Sequence, residues 1–124
     1  MNKKRPKHLA LHHIKLPLPG FVSILHRVSG LLLFFALPLL LLMLQYSLRS
    51  IETYTELKDM LAQPLAKLAL LGLLWAFLHH FCAGLRYLAI DMHWISNLAQ
   101  ARNSSRVVMF ASLALTALLG TRLW

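Results

Sequence analysis

The chain has 124 residues, of which 58% are hydrophobic and only 14% are charged. Soluble domains are typically about 45–50% apolar and about 25% charged, so the composition predicts a small all-α membrane unit with no room for a soluble catalytic domain. The formal net charge of +9 indicates basic loops flanking apolar segments, and we do not expect a nucleic-acid partner.

Three apolar stretches predict three transmembrane helices, at about 28–48, 65–90 and 107–124. About 20 residues cross a hydrocarbon core of about 30 Å, and a chain in lipid must be helical to satisfy its backbone. Pro38 is expected to kink the first helix. Residues 1–124 are expected to form a single membrane-anchor domain whose first span is not cleaved. Its N-terminal segment, residues 1–27, is expected in the cytoplasm, and Pro17, Pro19 and Gly20 predict an irregular or interfacial stretch before the first helix.

Loop charges predict the orientation of these spans. Basic residues without any acid precede the first span: Lys3, Lys4, Arg5, Lys7, Lys15 and Arg27. The first loop mixes both signs, whereas the second loop region is again basic. Because cytoplasmic loops are rich in Lys and Arg, we expect the N-terminus in the cytoplasm and the C-terminus, at Trp124, outside.

Two adjacent histidines, His79 and His80, lie within the second predicted span. Ionisable residues are costly inside a membrane, so each is a functional candidate. Neutral imidazole can hold a haem iron axially, and the face of His80 includes the small residues Ala76 and Gly84. An interhelical hydrogen bond explains such a histidine equally simply. A six-coordinate haem would need a second histidine from another subunit.

The stretch SILHRVSG gathers polar groups where the first span begins. Ser23, His26, Arg27 and Gly30 follow the spacing i, i+3, i+4, i+7, which places them on one helical face. An arginine there suits carboxylates, such as haem propionates, or the polar head of a lipid-soluble substrate. Alternatively, Arg27 anchors a helix end and Ser23 caps it.

Three motifs together resemble a known family. They are RP near the N-terminus, SxxHRxSG at 23–30 and HxxxGxRxxxxD at 80–91. The chain resembles the cytochrome b subunits of succinate dehydrogenase, the larger membrane anchors of respiratory complex II, over nearly its whole length. The family often has a histidine where this chain has Tyr87.

The resemblance implies a subunit that is not catalytic alone. It would be a multi-pass protein of the bacterial inner membrane, paired with a second membrane anchor that supplies the other ligand of a shared haem b. Together they would dock an iron–sulfur subunit and a flavoprotein on the cytoplasmic side. The complex would be a succinate:quinone oxidoreductase that passes electrons to ubiquinone.

The resemblance also implies roles for individual residues. His80 matches the axial ligand of the haem iron. His26 and Arg27 match positions close to the haem propionates, and Ser23 and Arg27 match the quinone site. Asp91 matches an acidic position suited to polar support or proton delivery.

Two other interpretations remain open. The chain could anchor a quinol:fumarate reductase, because the direction of electron flow depends on redox potentials that a sequence does not contain. It could also be a structural or assembly membrane protein without a cofactor, whose histidines only bridge helices.

Overall fold

The computed structural model describes residues 15–123, which form four α-helices and no strand. The helices are α1 (Leu18–Ser47), α2 (Ile51–Ala62), α3 (Pro64–Asp91) and α4 (Leu98–Leu123). Helices α1, α3 and α4 are long and apolar enough to cross a membrane. The predicted all-α fold with three spans is therefore confirmed. The basic residues before Lys15, and Trp124, lie outside the described residues.

Helix α1 begins ten residues before the span predicted from about residue 28. Its cap is Pro17, and a second proline, Pro19, stands within its first turn. The fixed φ of proline suits the first turn, where the missing N–H would have no partner. The part predicted to be irregular is thus helical from Leu18, and the SILHRVSG stretch lies inside α1. The helix also continues through Pro38.

Helix α2 lies in what the sequence presented as a mixed-charge loop. A capping box starts it, in which Thr53 N donates to Ser50 Oγ at 3.2 Å and Ser50 N donates to Thr53 Oγ1 at 3.1 Å. The helix buries Leu57, and Tyr46 of α1 donates a hydrogen bond of 2.6 Å to Glu56. Helix α2 therefore packs at the end of the bundle where α1 ends and α3 begins.

Helix α3 is central and packs against both α1 and α4. The buried face of α4 is built largely from three hydroxyl residues and a glycine: Ser105, Ser112, Thr116 and Gly120. Each of the three hydroxyls donates to a carbonyl of α4 itself, at 2.6–3.1 Å. A Cβ at Gly120 would lie 2.9 Å from Leu71 Cδ1 of α3. These small side chains let α4 approach α3 closely without leaving a hydroxyl unsatisfied.

Candidate functional site

Two histidines from different helices form a stacked pair between α1 and α3. The ring centroids of His26 and His80 are 4.2 Å apart, and the ring planes differ by 10°. Both side chains are half-buried. The pair brings the SILHRVSG stretch of α1 and the HxxxGxR stretch of α3 together at one place.

A glycine on the opposite helix faces each of these rings, and Gly30 is needed to make room for His80. A Cβ at Gly30 would lie 2.8 Å from His80 Cε1, closer than such contacts occur in folded proteins, and one at Gly84 would lie 3.9 Å from His26 Nε2. The sequence places Gly30 on the same helical face as His26, and Gly84 on the same face as His80. In the structure each glycine faces an imidazole across the α1–α3 contact.

The orientation of His80 is set by its Nδ1 atom. Nδ1 lies 3.1 Å from the carbonyl oxygen of His26 and 3.3 Å from Ser29 Oγ, and Ser29 Oγ itself donates to the same carbonyl at 2.9 Å. A carbonyl oxygen can only accept, so Nδ1 carries the proton and Nε2 keeps its lone pair. Nε2 makes no hydrogen bond to any residue between 15 and 123. This tautomer is the one that ligates a metal through Nε2.

Ser29 is a site residue that the sequence reasoning missed. It is buried, with 3% of its surface exposed. The motif SxxHRxSG includes this serine, but no role was assigned to it, since it is a hydroxyl within an apolar helix, three residues after His26. Such hydroxyls commonly bond their own helix, so the second contact, to His80 Nδ1, depends on how α1 and α3 pack.

His79 has a different environment from its neighbour. Its side chain is completely buried, and its ring stacks on Trp75 with the centroids 5.3 Å apart. Neither ring nitrogen has a hydrogen-bond partner in the described part of the chain. An external group would have to displace packed side chains to reach this imidazole, whereas His80 is half-exposed.

The remaining members of the SILHRVSG cluster lie on α1 near the histidine pair. Ser23 is half-buried one turn before His26, and Arg27 is exposed. The Arg27 guanidinium has no hydrogen bond or ion pair with residues 15–123. Its charge is therefore available to an anion outside this part of the chain.

Arg86 joins α3 to α4 beside the histidine pair. This buried guanidinium donates from Nε to Ser104 Oγ at 2.9 Å and from Nη2 to the Ala101 carbonyl at 3.3 Å. The Tyr87 ring lies 5.1 Å from that of His26, and its hydroxyl is buried without a partner among the described residues. Tyr87 thus lies about two turns after His80 on α3 and extends the face that holds the histidine pair.

Asp91 is separated from the histidine pair along α3. It is the last residue of the helix and is exposed. Eleven residues separate it from His80, which is roughly 16 Å at the helical rise. Asp91 therefore lies at the end of the helical bundle and does not contact His26 or His80.

Comparison with known proteins gives a consistent result. The model of a family described as succinate dehydrogenase/fumarate reductase transmembrane subunit matches residues 1–119. The chain is 34% identical to the succinate dehydrogenase cytochrome b556 subunit of Coxiella burnetii, over the whole of both chains. It is 29% identical to the subunit of that name from Rickettsia felis, covering 94% of this chain and 90% of the relative. It is 28% identical to the succinate dehydrogenase cytochrome b556 subunit of Paracoccus denitrificans, covering 94% of this chain and 88% of the relative.

Proposed function

This chain belongs to the succinate dehydrogenase/fumarate reductase transmembrane subunit family, and on that premise we propose that it anchors a succinate:quinone oxidoreductase. In this role it binds a b-type haem and ubiquinone and passes electrons from the iron–sulfur subunit to quinone. The observation that carries the proposal is the hydrogen bond from His80 Nδ1 to the His26 carbonyl, which leaves Nε2 unprotonated on a half-exposed ring. The relatives' printed names, which include cytochrome b556, support it.

His80 is the proposed axial ligand of the haem iron. The contact between His80 Nδ1 and the His26 carbonyl fits a haem ligand. A ligating histidine usually donates its other ring N–H to a carbonyl or carboxylate. Among the described residues, no group of three or more His, Cys, Asp or Glu side chains is placed to hold a metal ion. A second anchor subunit supplies the other ligand. When bound, the haem supplies a one-electron carrier.

His26 and Arg27 are the proposed partners of the haem propionates. Arg27 is exposed and without an acidic partner in residues 15–123, and guanidinium groups bind carboxylates through charge-assisted hydrogen bonds. His26 is held beside the ligand by the ring stack of 4.2 Å. The two residues follow each other on α1, so one turn of helix orients both.

Ser23 and Arg27 are the proposed quinone-binding residues. The Ser23 hydroxyl donates a hydrogen bond that fixes the ring, and Arg27 donates to a quinone oxygen. A preorganised cation stabilises negative charge that develops on that oxygen during reduction. Asp91, exposed at the end of α3, is suited to polar support or to delivering protons from water.

The remaining partners follow from the family and the charge pattern. We place the N-terminus in the cytoplasm of a bacterium and the three spans in its inner membrane. The iron–sulfur subunit and the flavoprotein then dock on the cytoplasmic side, near the beginning of α1. The family description also names fumarate reductase, so an anchor of a quinol:fumarate reductase is the second candidate. The rate of succinate oxidation with ubiquinone would be compared with the rate of fumarate reduction by a low-potential quinol. The faster activity distinguishes a succinate:quinone oxidoreductase from a quinol:fumarate reductase.

The His80→Leu variant tests haem ligation. We expect it to lose most of the b-type signal in a reduced-minus-oxidised optical spectrum of the purified complex, because leucine has no lone pair for iron. His79→Leu is the matched control, since it removes the adjacent imidazole and is expected to keep the haem. Haem retained by the His80 variant but lost by the control would assign the iron to His79. Haem absent from the native complex would leave the structural, cofactor-free interpretation.

The Arg27→Leu variant tests the quinone site. We expect roughly a hundredfold loss of succinate:quinone reductase activity, the size of effect seen when one preorganised donor to a developing oxyanion is removed. Reduction of a soluble dye by the flavoprotein should be unchanged. Arg102→Leu, another exposed arginine at the same end of the bundle, is the control. Equal loss with quinone and dye would contradict a role in quinone binding.

A further inference from the structure

Ser29 of α1 contacts both the proposed haem ligand and the backbone atom that orients it. The serine side chain is 3% exposed. Its Oγ donates to the His26 carbonyl oxygen at 2.9 Å and lies 3.3 Å from His80 Nδ1. A hydroxyl has one proton to donate and two lone pairs that accept. Because the Ser29 proton goes to the carbonyl, the hydroxyl oxygen accepts from His80 Nδ1.

The Nδ1 proton of His80 is therefore shared between two acceptors on α1. The His26 carbonyl oxygen lies 3.1 Å from Nδ1, and the Ser29 hydroxyl oxygen lies 3.3 Å from it. The usual N–H···O distance is about 2.9–3.0 Å, so both contacts are long. The carbonyl oxygen also accepts the Ser29 proton, and the electron density that it offers to His80 is divided between two donors. The hydrogen bond from Nδ1 is thus a weak one.

The contact with His80 distinguishes Ser29 from an ordinary helical hydroxyl. Serines inside helices commonly donate to a carbonyl of the preceding turn. Ser112 of α4 does this, with a bond of 3.1 Å to the Met109 carbonyl, and is completely buried. Within residues 15–123, Ser112 makes no hydrogen bond to another helix, whereas Ser29 bonds a side chain of α3. The geometry therefore gives Ser29 a role beyond the packing of its own helix.

We propose that Ser29 is a positioning residue that keeps the His80 imidazole from becoming electron-rich and thereby raises the reduction potential of the haem. This inference rests on the proposed ligation of the iron by His80. A strong hydrogen bond from the second ring nitrogen increases the electron donation of a ligating histidine, and stronger donation stabilises the oxidised iron. By competing for the His26 carbonyl, the Ser29 proton weakens that bond. Ser29 acts through this carbonyl and His80, without contacting the haem.

Redox titration of the Ser29→Ala variant tests the proposal. The complex would be purified with the subunits that accompany it, and the haem spectrum would be followed while the potential is varied. Alanine removes the competing proton and leaves the His26 carbonyl as the sole acceptor for Nδ1. The carbonyl is the nearer of the two acceptors, so its gain outweighs the loss of the hydroxyl oxygen. We expect a lower midpoint potential at unchanged haem content.

Ser112→Ala is the matched control. It also removes a buried hydroxyl that bonds a carbonyl three residues back, and it should keep the native potential. An unchanged or higher potential in Ser29→Ala would overturn the proposal and leave haem ligation by His80 intact. Haem that is retained by the His80→Leu variant would instead refute the ligation on which the proposal rests.

A second measurement does not require haem. In the full chain with isotope-labelled histidine, prepared without haem in nanodiscs, the chemical shift of the Nδ1 proton reports the strength of its hydrogen bond. The His80 resonance is assigned by its absence from His80→Leu. We expect Ser29→Ala to move this resonance downfield and Ser112→Ala to leave it in place. A downfield shift of the same size in both variants, or none in either, would show that Ser29 does not weaken the bond.

Discussion

The carbonyl oxygen of His26 is the atom through which α1 controls the His80 side chain. It accepts hydrogen bonds from Ser29 Oγ at 2.9 Å and from His80 Nδ1 at 3.1 Å. Such supporting contacts fix the tautomer and direction of a ligating imidazole. Ser29 therefore matters to the proposed haem site as a positioning residue, without contacting the haem itself.

Substitution of Gly30 should disturb the same imidazole by steric contact. The Cβ of Gly30→Ala would lie 2.8 Å from His80 Cε1, so the ring must tilt or α1 must move. We expect a shifted or weakened haem band in the optical spectrum and a changed electron paramagnetic resonance signal. A new methyl group that leaves both spectra unchanged would argue against His80 as the ligand.

Gly72→Ala is the matched control for this experiment. It lies on α3, and no atom lies within 4 Å of the Cβ that the substitution would add. Alanine is also a better helix former than glycine, by about 1 kcal/mol. The control should therefore keep the native spectra and be at least as stable as the parent, as measured by thermal unfolding in detergent.

The spans could be predicted from the sequence because long apolar runs determine them, but the start of α1 and the presence of α2 could not. Pro17 and Pro19 indicated irregular structure, yet they are compatible with a helix start. Helix α2 was hidden because its charged residues resemble a loop and because its capping box uses Thr53 in place of the usual Glu or Gln. The start of α1 and the formation of α2 both depend on local backbone hydrogen bonds, which cannot be predicted from the spacing of apolar residues.

The third span contains none of the three sequence motifs, but its buried face is important for helix packing. Ser112 is completely buried in the contact that α4 makes, so a larger side chain there should force the helices apart. Ser112→Leu is expected to destabilise the protein by about 1–3 kcal/mol, the usual effect of overpacking. The measurement is thermal unfolding in detergent. Ala114→Leu, on the exposed side of α4, should have little effect, and equal loss in both variants would contradict this packing face.

At the scale of the whole molecule, α1 has little protein around it. Only 6% of an 18-residue apolar stretch of α1 is buried, whereas 22% of the corresponding stretch is buried in each of α3 and α4. Large side chains such as Phe34 and Phe35 are exposed. In a protein with spans this apolar, such a surface is covered by lipid or by other subunits. This agrees with the proposed second anchor.

Co-expression should therefore decide whether the haem site is complete. In the proposed function the second anchor supplies the other haem ligand, so this chain alone is expected to show no six-coordinate b-type spectrum. With the second anchor the low-spin spectrum should be present, and it should be lost with His80→Leu. A normal six-coordinate spectrum from the isolated chain would mean that both axial ligands come from this subunit.

The hydrogen bond between His80 and the His26 carbonyl also has a consequence for the order of biogenesis. During synthesis α1 leaves the ribosome well before α3, and until both are packed the imidazole has no partner to select its tautomer. The tautomer of His80 is therefore set only after α1 and α3 have packed together at Gly30. If His80 ligates haem as proposed, haem insertion would follow membrane integration of α3.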